Sequence, residues 1–344
     1  MIIFYIVFLF ICLYKIKFKF TTGFDDYLSV NKTSSIKGIF ILIVFFSHFN
    51  SYVNYTHRVD KVFVALMGYV GQAMVAMFLF YSGYGVMESI KNKTDYVNTI
   101  PSRRILSCLL QFDIAVLIYA VIKLIYGHSF TIGRFLLSLI GWEALGNSNW
   151  YIFTILVLYF ITYVAFKLFS NKNTAVISVF FAVVVYVLCF RIFNTKPVHW
   201  YDTILIYPLG MMYSCHKQKI ELLLCKKKYA YYLMLLFAAI FTVLLTLFHK
   251  NYFVLLVLKN IAFTMAVVLF TMSVSFDNFV LRWCGNHLFE IFILQRIPMI
   301  ILKNVGIMND YIYLSFVICL AVTVILSILF KKYVVKATNK ICQK

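Results

Sequence analysis

Charge is what this sequence has least of for its length. Only 13% of its 344 residues are Asp, Glu, Lys or Arg, and the acidic ones number 12. A soluble domain carries about 25% charged residues, so a surface solvated by water all round is excluded. Proline is sparse too, with four residues, and no linker, internal repeat or low-complexity stretch marks a second domain. Eight cysteines are scattered along the chain without a disulfide framework or CxxC spacing, which leaves them as small apolar residues. No stretch has the spacing of a metal site, a Walker loop or a dinucleotide fold.

Apolar residues fill the space: 63% of the chain is hydrophobic and 19% aromatic, with a mean hydropathy of +0.90. Runs near membrane length cover 1–14, 36–53, 62–88, 105–126, 149–169, 174–195, 200–215, 229–248, 252–275, 287–302 and 311–330. The first and seventh are short, and 130–145 reads as a partly inserted or interfacial piece. The expected fold is an all-α polytopic membrane protein with a ten-span helical core and one N-terminal hydrophobic segment. Residues 1–20 form an anchor segment, 33–335 the core and 336–344 a basic cytoplasmic tail.

The net charge of +20 is distributed as topology. Assigned to alternate sides of these segments, 22 of the 32 Lys and Arg residues fall on one side and nine on the other, with Arg296 inside a span. This is the positive-inside pattern, so the basic side faces the cytoplasm and contacts anionic lipid; nucleic acid is not an expected partner. The same count places the N-terminus outside and the C-terminus inside a plasma membrane. The first segment lacks preceding basic residues and an A-x-A site, so it does not read as a cleaved signal.

One histidine is out of place. His48 follows an unbroken apolar run from Gly38 to Ser47, eleven residues after Lys37, which is about three helical turns, or roughly 16 Å, on one face. An ionisable group at such depth is a functional hypothesis by default; the alternative is a histidine bonded to a neighbouring helix for packing. Depth bookkeeping adds Ser82, Asp113, Gln295 and Arg296, polar groups on further helices at a similar level that should face a common cavity. Asp113 is the candidate to orient His48, as a carboxylate does in a catalytic triad, with an Asp113–Arg296 pair as the alternative. Ser82 reads either as a substrate contact or as a packing residue beside Gly83.

KGIFILIVFFSHF resembles the first core helix of the acyltransferase 3 family, integral membrane enzymes that acylate cell-surface polysaccharides and related glycans. Its hallmark there is an arginine, ten residues, then histidine. FLFYSGYGV (78–86), PSRRIL (101–106), NWYIFTILVLY (149–159) and GNHLFEIFILQRIP (285–298) resemble further family segments in order, across about 33–335. Lys37 stands where the family has arginine, His287 where serine is usual, and Gln295 where some members have histidine. The resemblance implies a stand-alone core enzyme, an O-acetyltransferase using acetyl-CoA and no metal. Its acceptor would be a hydroxyl of an extracytoplasmic or lipid-linked glycan in the cell envelope.

On that resemblance Lys37, Arg103 and Arg104 are expected to bind the phosphates of the donor, the alternative for the two arginines being ordinary positive-inside anchoring. His48 is expected to take the acceptor proton. Trp150 and Tyr151 would stack on sugar or belong to an interfacial belt, and Glu290 would touch substrate or pair with a basic loop. His57, His128, His199, His216 and His249 lie near loops. A glycan flippase or polymerase and a secondary transporter are the other classes, against which stand the lack of a long outer loop and of inverted repeats. The sequence selects neither a monomer nor an oligomer.

Overall fold

The computed structural model describes residues 1–19, 24, 26–55, 58–226, 228–248 and 252–342; His57 and His249 fall outside them. The chain runs α1 (Ile2–Leu13), β1 (Ile16–Phe18), α2 (Val30–Asn50), α3 (Arg58–Asn92), α4 (Tyr96–Ile100) and a π-helical stretch Pro101–Leu106 into α5 (Ser107–Ile125). Next come α6 (Ile132–Leu139), α7 (Trp150–Leu168), α8 (Lys172–Phe193), α9 (Ile206–Lys226), α10 (Lys228–Phe248) and α11 (Phe253–Ser273). After β2 (Val274–Phe276) follow α12 (Phe279–Asn286), α13 (Leu288–Leu294), α14 (Arg296–Val305), α15 (Ile312–Phe330) and α16 (Lys336–Cys342).

Among the described residues the chain is all-α apart from one small ribbon, and its apolar helices make it a polytopic membrane protein. Among the described residues, eight helices are long and apolar enough to cross a membrane by length and composition. Segments 1–14, 200–215 and 287–302 are not among them. The first forms α1, a helix of 12 residues that rests Tyr5 and Phe8 on Phe46 of α2. The second forms α9, which carries His216, Lys217 and Lys219 in its length. The third is split at Gln295 into α13 and α14. Pro298 has no N–H for the carbonyl four residues back, at Leu294, which is where the helix parts.

Two helix pairs approach backbone to backbone, and glycine is the reason. A Cβ at Gly38 would collide with the Leu281 carbonyl and one at Gly285 with the Ser34 carbonyl, so α2 and α12 can lie this close only without side chains there. Gly83 against Tyr207 and Gly210 against Phe80 do the same for α3 and α9. Small residues at helix crossings are how membrane helices gain packing without a hydrophobic drive between them. The pairs fix α2 and α3, which carry Lys37, His48 and Ser82.

Lys15, Lys17 and Lys19 alternate with Ile16 and Phe18, and the structure uses that period of two as a strand. β1 pairs antiparallel with β2, Lys17 opposite Ser275, and the Lys17 ammonium lies 2.9 Å from Asp277. Residues 336–342, within the stretch read as a basic tail, continue from α15 as α16 and pack on α5. Gln111 donates to Thr338 (3.0 Å) and Ser107 to Asn339 (3.2 Å).

Candidate functional site

Lys37 and His48 lie on one uninterrupted helix, α2, as the spacing requires. Around Lys37 the structure gathers basic and phenolic groups. Its ammonium stands 5.3 Å from the Tyr81 ring and close enough to the Arg104 guanidinium for the two charges to act on each other. Arg104 and Arg103 sit in the π-helical stretch that begins at Pro101. Proline withholds the N–H that Val97 would accept in a regular turn, and the widened turn that follows is a frequent feature of functional sites. Arg104 turns inward, its Nε donating to the Tyr96 hydroxyl at 2.9 Å, while Arg103 stays exposed.

Beside them lies a cavity of about 210 Å³, lined by both arginines, Ser107, Gln111, Tyr151 and Tyr159, among others. Two guanidinium groups, three hydroxyls and one amide over apolar walls suit an anionic ligand with an apolar portion. Ser82 braces this wall: its hydroxyl and that of Tyr159 are 2.9 Å apart. Neither Lys37 nor His48 is part of the lining.

Tyr151 links the cavity to His48. It is 9% exposed and packs edge-on against Phe292 at 5.4 Å between ring centroids; Phe292 in turn faces His48 at 6.3 Å. Tyr151 is therefore an interior ring and not part of an interfacial belt. Trp150 faces Tyr151 at 6.2 Å and His199 at 5.5 Å. The apolar wall of rings separates arginine cavity and histidine by one aromatic layer.

Around His48 the polar groups are short of partners. His48 Nδ1, Gln295 Oε1 and Arg296 Nε are buried without a hydrogen bond among the described residues. Gln295 is 0% exposed and donates to the Phe292 carbonyl at 3.2 Å. Arg296 acts electrostatically on both His48 and Tyr52. Buried polar atoms of this kind are rare unless a ligand or water meets them. The helix break holds the two residues inward. The Tyr119 hydroxyl donates to the Ile293 carbonyl at 3.0 Å and faces the N–H groups that open α14.

The loop before α7 adds to this side. Gly141 and Gly146 take φ of +77° and +111°, turning the chain inward so that Leu145, Asn147 and Ser148 are buried. Gly146 approaches Ile300 of α14 and Tyr119 of α5. Asn147 Nδ2 and Ser148 Oγ are again without partners among the described residues. Sequence reasoning read the first part of this loop only as the end of a partly inserted or interfacial piece, and gave no role to Asn147, Ser148, Phe292 or Tyr159. The signal for the loop was present as GNSNW, a polar run with glycine between apolar segments.

Among the described residues the expected polar groups fall into two sets. Ser82 belongs with Arg104 and Tyr159, whereas Gln295 and Arg296 belong with His48. Helical rise misplaced them because the helix through Asp113 starts at Tyr96 rather than 105 and the 287–302 helix is broken. Asp113 reaches neither His48 nor Arg296. Its Oδ1 is buried without a partner, and among the described residues it forms neither a triad-like contact with His48 nor an ion pair with Arg296. Glu290 is 5% exposed; the cation that acts on it is Lys331 of the stretch after α15.

No curated protein and no solved structure matches this chain. A family model does: the acyltransferase domain of the acyltransferase 3 family matches residues 34–332, the stretch that holds the arginine cavity, His48 and the broken helix behind it, and the chain belongs to that family of membrane acyltransferases.

Proposed function

We propose that this acyltransferase moves an acetyl group from acetyl-CoA in the cytoplasm to a hydroxyl of an extracytoplasmic or lipid-linked glycan in the plasma membrane. The observation that carries this reading is the cavity lined by Arg103 and Arg104, joined through Tyr151 and Phe292 to His48. The arginines, with Lys37 nearby, bind donor phosphates as charge-assisted contacts. The pantetheine arm then runs between apolar walls toward His48, which requires the Tyr151 and Phe292 rings to turn aside. His48 takes the proton of the attacking hydroxyl and returns one to the departing thiolate. No metal enters this scheme.

The test is the acetyl content of envelope glycan in cells expressing the wild-type chain, His48→Ala or neither. Acetylation that depends on the wild-type chain and vanishes with His48→Ala is expected. Unchanged glycan in all three would refute the proposed acceptor class.

A further inference from the structure

Among the described residues Arg296 forms no ion pair with a carboxylate, and it stands beside the proposed base. Three observations place it. Phe292, which faces His48 at 6.3 Å, lies four residues before Arg296, across the break between α13 and α14. Tyr52, four residues beyond His48, faces the same guanidinium. His48 itself feels the charge of Arg296. The Nε atom is buried and donates to nothing among the described residues, and no ion pair neutralises the guanidinium there. A polar atom buried without a partner is costly unless something meets it, and the helix break at Gln295, held by Tyr119, fixes the Arg296 backbone in place.

We infer that Arg296 is a catalytic residue whose Nε–H receives the oxyanion formed on the acyl carbonyl, opposite the proton transfer to His48. The inference rests on the acyl-transfer reading above. In the step, the acceptor hydroxyl gives its proton to the His48 imidazole while its oxygen forms a bond to the thioester carbon. The carbonyl π electrons move onto oxygen, and the negative charge faces Arg296. Collapse re-forms the carbonyl, breaks the carbon–sulfur bond and expels CoA thiolate, which takes the proton from His48. A donor fixed in advance where charge develops is worth most in a site without water. A guanidinium meets that need without losing its own proton.

The experiment uses membrane vesicles containing the full chain, acetyl-CoA labelled in the acetyl group and the endogenous envelope acceptor. Arg296→Gln should lower the rate at saturating donor by about a hundredfold or more while leaving half-saturation by acetyl-CoA unchanged. Arg296→Lys should lose less. Added guanidinium ion should restore part of the rate to Arg296→Ala and none to His48→Ala, a result that a merely structural role does not give. Donor binding by the Arg296→Lys protein checks that the site is intact. A near wild-type rate in Arg296→Gln, or a loss confined to half-saturation, overturns the inference. If His48→Ala is inactive and Arg296→Gln is not, only the oxyanion role fails; if both are active, the reading of His48 as base fails with it; if the wild-type chain transfers no acetyl group, the acyl-transfer reading itself fails.

Discussion

At the scale of single residues, the proposed function divides between two stations on α2, and each has its own expected phenotype. Lys37 stands by Arg104 at one station, His48 by Arg296 at the other. Arg104→Ala removes a charged contact from the cavity wall, and contacts to charged groups are worth about 1.5–3 kcal/mol. Half-saturation by acetyl-CoA should therefore rise roughly tenfold or more, with a smaller change in the saturated rate. Lys37→Ala should act in the same direction, and Lys37→Arg should be tolerated because it keeps the charge and adds the fork. Donor titrations of the three variants check this; unchanged half-saturation in both neutralising variants contradicts the donor site. The histidine was legible from its depth in an apolar run alone. The ring that separates it from the cavity was not, because Phe292 is one of 36 phenylalanines and only tertiary packing singles it out.

At the scale of elements, the scarcest residues shape the site. Two of the four prolines, Pro101 and Pro298, produce the π-helical stretch that carries Arg104 and the break that carries Arg296. Glycine sets the helix pairs. Gly83→Ala drives a methyl into the Tyr207 carbonyl, and Gly38→Ala into that of Leu281; overpacking typically costs 1–3 kcal/mol and occasionally more, and backbone cannot swing aside. Each should lower the thermal midpoint in detergent by several degrees or abolish folded protein. Gly85→Ala, with nothing within 4 Å, should be neutral; equal midpoints for all three would contradict the close crossings. The ribbon is tested separately. Lys17→Cys with Ser275→Cys, opposite each other in register, should form a cross-link on mild oxidation, and Lys17→Cys alone should not. Here the sequence pattern KIKFK was visible but ambiguous, since lysines after an apolar segment also read as an anchor. Its partner strand lies more than 250 residues away in sequence, beyond any local signal.

At the scale of the whole molecule, the fold class and family were readable from hydropathy, charge distribution and five ordered motifs, because lipid solvent imposes long apolar helices. Depth bookkeeping failed where it assumed straight helices of known starts, which is why Asp113 was assigned to His48 and does not reach it. What remains is direction. On the proposed topology, in which 22 basic residues fall on one side and nine on the other, the arginine cavity lies on the cytoplasmic side and roughly 16 Å of helical rise carries His48 beyond it toward the other face. A CoA thioester with its phosphates does not cross a bilayer readily, so donor and acceptor should reach His48 from opposite faces. Sealed vesicles of known orientation, with labelled acetyl-CoA on one face and glycan acceptor on the other, test this most directly. Transfer only when the donor is on the cytoplasmic face and the acceptor on the opposite one is the expected result. Transfer that requires both substrates on the cytoplasmic face would contradict the two-sided account.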